Sequence, residues 1–219
     1  MHPVPDAGFA GRSAQPGPSG RRMNRRCDIV IAGVGGQGIL LASNILGEAC
    51  VRQGLPVKSL ETHGMAQRGG SVEAHVRIGC IYGPKVPVGK ADLLIGLEPL
   101  EAARFAPWLR SGGIAVVHTG TVPLPGAASY PSQDRLQSIT SERAGLSIMH
   151  DFSSLTDRAG SVRTLNVVMI GACARFLPLS TDVLREAMLA LVSPAFHAMN
   201  IAAFEAGVEF SARWCHPLR

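Results

Sequence analysis

Apolar and polar positions repeat with two different periods along this chain, and the switches between them outline its elements. Asp28–Ala32 is a short apolar run of the kind a buried strand carries. From Ile39 to about Arg52, residues Leu40, Leu41, Ile45, Leu46, Ala49 and Cys50 recur at helical spacing, and Gly54 supplies the stop. Leu55–Glu61 predicts a second strand, so the opening unit reads β-loop-α-β. A right-handed crossover sets these two strands parallel and leaves the intervening glycine loop at their carboxyl edge. Strict alternation follows, with Val72, Ala74, Val76 and Ile78 against Ser71, Glu73, His75 and Arg77. That pattern predicts a half-buried antiparallel strand turning near Gly79–Cys80 or Tyr82–Gly83.

Ala91–Leu97 predicts another buried strand, and Glu98-Pro99 suits a helix start with proline in its first turn. Ile114–His118 reads as a strand after Gly112-Gly113, and Thr119–Pro131 as irregular chain rich in proline. Gln133–Arg143 predicts a helix and Leu146–His150 a last strand, followed by helical patterns over Leu165–Phe176, Thr181–Leu191 and Pro194–Gly207. No internal repeat is visible. The expected class is α/β: a mostly parallel sheet flanked by helices, with a Rossmann-like glycine-rich first βα loop and a helical C-terminal end.

Composition narrows this picture. The 219 residues are 46% hydrophobic and 17% charged, which suits one domain with a sizeable core. Aromatic residues at 5% leave little for base-stacking platforms, so nucleic acid is not an expected partner. The net charge of +5 is unevenly placed: Arg12, Arg21, Arg22, Arg25 and Arg26 stand against Asp6 alone before Cys27, and the remainder carries only +1. Residues 1–26 are therefore expected to be a disordered extension rich in Arg, Pro and Gly, with Met23 a second possible start. Residues 27–208 form the expected domain and 209–219 a tail. No run of about eighteen apolar residues suits a membrane span. Five cysteines lie far apart with no C-x-x-C pair, which fits neither an iron–sulfur cluster nor a structural zinc site and points to reduced thiols in the cytoplasm. Cys50 and Cys173 fall in apolar helix patterns and read as core residues.

The stretch Gly33-Val34-Gly35-Gly36-Gln37-Gly38 satisfies G-x-G-x-x-G between a strand and a helix. Glycines let the backbone approach a ligand, and the N–H groups of the new helix point at an anion. With Glu61 at the end of the second strand as the ribose-binding acid, one reading is a stand-alone NAD(P)-binding dehydrogenase. Against it, no second domain offers a proton donor and a substrate clamp. The polar block His63-Gly64-Met65-Ala66-Gln67-Arg68-Gly69-Gly70 leaves the carboxyl end of that strand, where function tends to sit. Arg68 suits a phosphate or carboxylate clamp or an intersubunit ion pair. His63 suits proton transfer or a structural hydrogen bond. His75 and His118 lie in strand patterns and read as structural. Lys85 and Lys90 sit in the Tyr82–Lys90 loop, which suits contact with an anion but fits better a hairpin tip with solvated lysines. Asn166 suits a helix cap and Gly171 close helix packing.

In their order, these residues resemble the gamma-type domain of the 2-oxoacid:ferredoxin oxidoreductases from about Asp28 to Gly207. The anchors are Ile31–Gly38, His63–Val72, Ala91-Asp92 with Leu97–Ala102, Asn166-Val167-Val168 and Phe204–Gly207. The His-Gly-Met-Ala-Gln-Arg-Gly-Gly block favours the indolepyruvate branch. The resemblance implies an oxidoreductase that decarboxylates an aryl 2-oxo acid, joins the acyl group to coenzyme A as co-substrate and passes electrons to ferredoxin. It implies that thiamine diphosphate, Mg and 4Fe-4S clusters sit on a large (alpha) partner subunit, so this chain is inactive alone, binds no cofactor by itself and has neither a metal site nor a membrane partner. It implies ligand- or partner-binding at Gly33, Gly35, Gly36, Gln37, Gly38, Gln67, Arg68, Gly69 and Gly70, with His63 and Arg68 as catalytic candidates.

Overall fold

A computed structural model describes residues 26–63, 70–80, 82–122 and 130–213. These residues form a six-stranded sheet in the order β2-β3-β1-β4-β5-β6. The strands are β1 (Cys27–Val34), β2 (Val57–His63), β3 (Ser71–Ile78), β4 (Ala91–Gly96), β5 (Leu109–His118) and β6 (Leu146–His150). The helices are α1 (Ile39–Arg52), α2 (Pro99–Phe105), α3 (Gln133–Arg143), α4 (Ser153–Ala159), α5 (Leu165–Cys173), α6 (Thr181–Leu191) and α7 (His197–Ser211). β1, β4, β5 and β6 pair in parallel, while β3 runs antiparallel to both β1 and β2.

The α/β class and the mostly parallel sheet match expectation; the strand order differs in one respect. β2 runs in the direction of β1, as a right-handed crossover requires, but β3 occupies the place beside β1. Val72 of β3 pairs with Gly33 on one side and His63 on the other. The chain leaving β3 then passes β1 to reach β4, so the Tyr82–Lys90 segment is a crossing connection and not a hairpin tip. β5 begins five residues before Ile114, because Arg110–Gly113 loops out opposite the Ala91/Leu93 step of β4. Helix α4 has no counterpart in the periodicity, and α7 runs to Ser211, past the expected domain end.

Alternation along β1 sorts the two cores. Ile29 and Ile31 face the larger layer built with α1, α5, α6 and α7. Val30 and Ala32 face a smaller layer with Leu94, Ala115 and Val117 under Ala102 and Phe105 of α2. Such two-sided burial explains why β1 lacks polar alternation. Cys50 and Cys173 are fully buried in the larger core; burial pushes the Cys50 thiol up to about 12 and raises that of Cys173 as well. Both are inert packing residues.

Candidate functional site

Parallel strands deliver their carboxyl ends to one edge, and the connections leaving them line it. Here that edge gathers the glycine loop after β1, Leu97 and Glu98 after β4, His118 to Val122 after β5, and Asp151 after β6. The His63–Gly70 block leaves and re-enters at the same edge. Residues 64–69, hence Gln67, Arg68 and Gly69, lie outside the described residues, as does the His63 side chain. Gly70 is tied directly to the loop, its carbonyl accepting from the Gly35 N–H at 2.9 Å.

Gln37 holds the glycine loop in shape. Its Oε1 accepts from the Val34 N–H at 2.7 Å, and its Nε2 donates to the Leu97 carbonyl at 2.9 Å. The amide thereby clamps the end of β1 to the end of β4, with both its ends occupied. A Cβ on Gly33 would lie 2.6 Å from Gln37 Oε1 and 3.0 Å from Leu97 Cβ, so a side chain there would displace the Gln37 amide from its clamp. Gly38 adopts φ 78° and precedes α1 without any side-chain cap. Among the described residues no group outside the helix accepts from the first N–H groups of α1, the arrangement that favours an anion. Asn166, expected as a helix cap, instead donates its Nδ2 to the Gly38 carbonyl at 3.1 Å. It locks the start of α1 onto α5 and takes the space a Gly38 Cβ would need.

Two acids and a histidine at this edge carry more than their local sequence suggested. Glu98 is 1% exposed and Glu101 0% exposed. Glu98 Oε2 caps α2 by accepting from the Glu101 N–H at 2.9 Å, while Oε1 accepts from the Tyr130 hydroxyl. Glu101 accepts from Ser71 Oγ at 2.5 Å and from Arg104 at 2.8 Å. Ser71 immediately follows Gly70, so the returning end of the polar block is pinned twice. Burial raises the Glu101 carboxyl above the ordinary range, against the pull of Ser71 and Arg104. His118 lines an open cavity of about 250 Å³ beside Gln37, with Thr121, Ser153, Thr156 and Leu165 on its other walls. Its Nδ1 accepts from the Phe152 N–H at 3.2 Å, which assigns the proton of the neutral ring to Nε2. A histidine inside a strand pattern gives no sign of this; only the β5 terminus beside the loop reveals it.

Glu61 sits on β2, one strand beyond β3, so it cannot serve the glycine loop as a dinucleotide's ribose acid does beside β1. Among the described residues, no three His, Cys, Asp or Glu side chains converge to hold a metal. Cys27, Cys50, Cys80 and Cys173 are buried as free thiols, so they do not fit an iron–sulfur cluster. No described helix is long and apolar enough to cross a membrane.

The buried histidines set a pH dependence. Burial lowers the pKa of His75 and His118 from the ordinary 6.5, only partly opposed by Glu73 and Asp151 respectively. The unfolded chain takes up these protons below about 6.5 while the folded chain refuses them. Their stabilising share is thus complete above that pH and is lost as pH falls. Glu101, raised by burial, acts with the opposite sign, in a window that opens near its ordinary 4.5 and runs upward from there. The thermal midpoint is expected to drop between about pH 7 and 5.5, and to drop less in His75→Leu. A midpoint flat across that window rules this out.

Comparison with known proteins follows the same lines. Residues 28–210 match the family described as pyruvate ferredoxin/flavodoxin oxidoreductase. The indolepyruvate oxidoreductase subunit IorB of Thermococcus kodakarensis is 44% identical over 192 residues, covering 83% of this chain and 94% of the relative. That of Pyrococcus horikoshii is 43% identical with the same coverage. The gamma subunit of a keto/oxoacid ferredoxin oxidoreductase from Geobacter sulfurreducens superposes with a TM-score of 0.65 at 22% identity, over 86% of this chain and 99% of that one. This last likeness shows the fold.

Proposed function

The chain belongs to the pyruvate ferredoxin/flavodoxin oxidoreductase family, and from that premise we propose that it is the accessory subunit of an indolepyruvate-type 2-oxoacid:ferredoxin oxidoreductase. The observation that carries this reading is identity of 43–44% to indolepyruvate oxidoreductase subunits over 94% of their length. The assembled enzyme oxidatively decarboxylates an aryl 2-oxo acid to an acyl-coenzyme A and hands the electrons to ferredoxin. Thiamine diphosphate with Mg, which stabilises the carbanion left by decarboxylation, and the 4Fe-4S clusters belong to the large alpha subunit; the scattered, buried cysteines here agree with that division. The setting is the cytoplasm.

Within this reading the chain supplies binding and orientation. The backbone N–H groups of Gly36, Gly38 and the first turn of α1 supply the cradle for a phosphate or carboxylate, as on coenzyme A or the 2-oxo acid, and Arg68 and His63 are the candidates for acting on what it holds. Gln37 and Asn166 keep that cradle open by bonding to the backbone around it. His118, its Nδ1 engaged by the Phe152 N–H, lines the adjoining cavity. A stand-alone dehydrogenase is disfavoured because Glu61 is displaced by the intervening β3.

Co-expression tests the proposal. The two chains together are expected to form acyl-coenzyme A and reduce a viologen dye, and either chain alone to show at most about 1% of that rate, because the parts of one active site are divided between them. Full activity of the large subunit alone sinks the reading. A tryptophan-fluorescence or calorimetric response to micromolar NADH would revive the dehydrogenase.

A further inference from the structure

The sheet edge opposite the glycine loop carries a row of charges that the proposed reaction does not use. Lys58 on β2 pairs with Arg77 on β3, which pairs with Asp28 on β1, so all three project from one face. Arg77 grips Asp28 through Nε and Nη2 at 2.9 and 3.0 Å, and its Nη1 reaches the Gly83 carbonyl at 2.9 Å. The row continues through Asp92 on β4, which accepts from the Asp28 N–H at 2.8 Å, to Arg110 on β5 at 2.6 Å. An open cavity of about 490 Å³ lies over it, edged by Arg26, Pro87 and Lys90.

Both carboxylates of this corner are consumed by the arginines. Arg26 is half exposed, and Lys58, Lys85 and Lys90 are exposed without an ion pair among the described residues. These three are the only lysines in the chain. A chain that nets just +1 beyond its arginine-rich start has thus collected every lysine at one corner, beside the exposed Tyr82 (71%) and Val88 (61%).

Solvated lysines ringed around paired charges make a poor permanent interface, since such interfaces are apolar and depleted in lysine. They suit a brief encounter steered by charge. The fixed carboxylates Asp28 and Asp92 and the scarcity of aromatic side chains argue against a nucleic-acid strand. We propose that this corner, centred on Lys85 and Lys90, is the landing surface for a small acidic electron-carrier protein. The proposal rests on the subunit reading above and assigns it a surface.

The experiment uses the assembled two-chain complex carrying Lys85→Glu with Lys90→Glu, both at exposed positions. Two acceptors are compared at about 20 mM ionic strength, where surface charges act over tens of ångströms: a small acidic ferredoxin and a viologen dye that needs no docking. The apparent KM for ferredoxin is expected to rise about fivefold or more, the gap to close by about 0.5 M salt, and dye reduction to stay unchanged. Lys85→Arg with Lys90→Arg, which keeps the charge, is expected to behave like the unsubstituted complex. An unchanged KM for ferredoxin overturns the proposal, and so does an equal loss with both acceptors, which would place the corner in assembly. Dye reduction that does not need this chain at all would instead overturn the subunit reading beneath it.

Discussion

Gly207→Val is expected to destabilise the chain by about 3 kcal/mol, the upper end of the range for overpacking. Helices α5 and α7 cross with Gly171 and Gly207 face to face. A Cβ on Gly207 would overlap the Val168 carbonyl oxygen and lie 2.8 Å from the Ala172 nitrogen and 3.0 Å from Gly171 Cα. A Cβ on Gly171 would overlap the Phe204 carbonyl in the same way. Every atom in the way belongs to a backbone, so no side-chain rotation relieves the clash and the helices must move apart. Separation would open the larger core around Val168, Met169 and Phe204, all now buried. Urea unfolding checks this: a midpoint shift equivalent to under about 1 kcal/mol would show that the crossing yields at little cost.

The other large effect belongs to Asp28. Asp28→Leu leaves the buried Arg77 guanidinium without its carboxylate, and removing one partner of a buried pair costs about 3–5 kcal/mol. Both side chains are nearly excluded from solvent, at 4% and 7% exposure, and hydrogen bonding to Asp28 holds the Arg77 pKa above its ordinary value. The comparison that separates lost attraction from stranded charge is the double variant Asp28→Leu with Arg77→Met. It is expected to recover most of the loss, because apolar replacements of similar volume need no counter-charge. Should the double variant prove as unstable as the sum of the singles, the pair would owe its importance to the backbone it organises. The Asp28 N–H bond to Asp92 is unaffected by either change.

How much of this was legible in the residues depends on how far apart the determining contacts lie. Helix α1 was readable because its apolar positions and its stop all fall within one segment. The limits of α3, β6 and α6 followed for the same reason. Gly171 was readable as a packing glycine within an apolar helix, although its partner Gly207 was not. The cradle glycines Gly33 and Gly38 stood out because a missing Cβ marks close approach whatever the partner. His118 was not readable as a cavity residue, since what makes it one is Gln37, Ser153 and Thr156 arriving from other elements. Asn166 misled in an instructive way: its position suggested a local cap, whereas its amide serves a distant helix start.

The amino-acid order by itself determined most of the local elements, α4 excepted, the α/β class and the glycine loop, because period, caps and absent side chains are properties of neighbours in sequence. The tertiary structure alone decided that β3 lies between β1 and β2, which removes Glu61 from the loop. Strand order is a pairing between segments whose alternation suits several neighbours equally, so no local pattern encodes it. The gathering of Lys58, Lys85 and Lys90 at one corner has the same origin: three positions unremarkable along the chain become one surface when β2, β3 and the crossing connection meet.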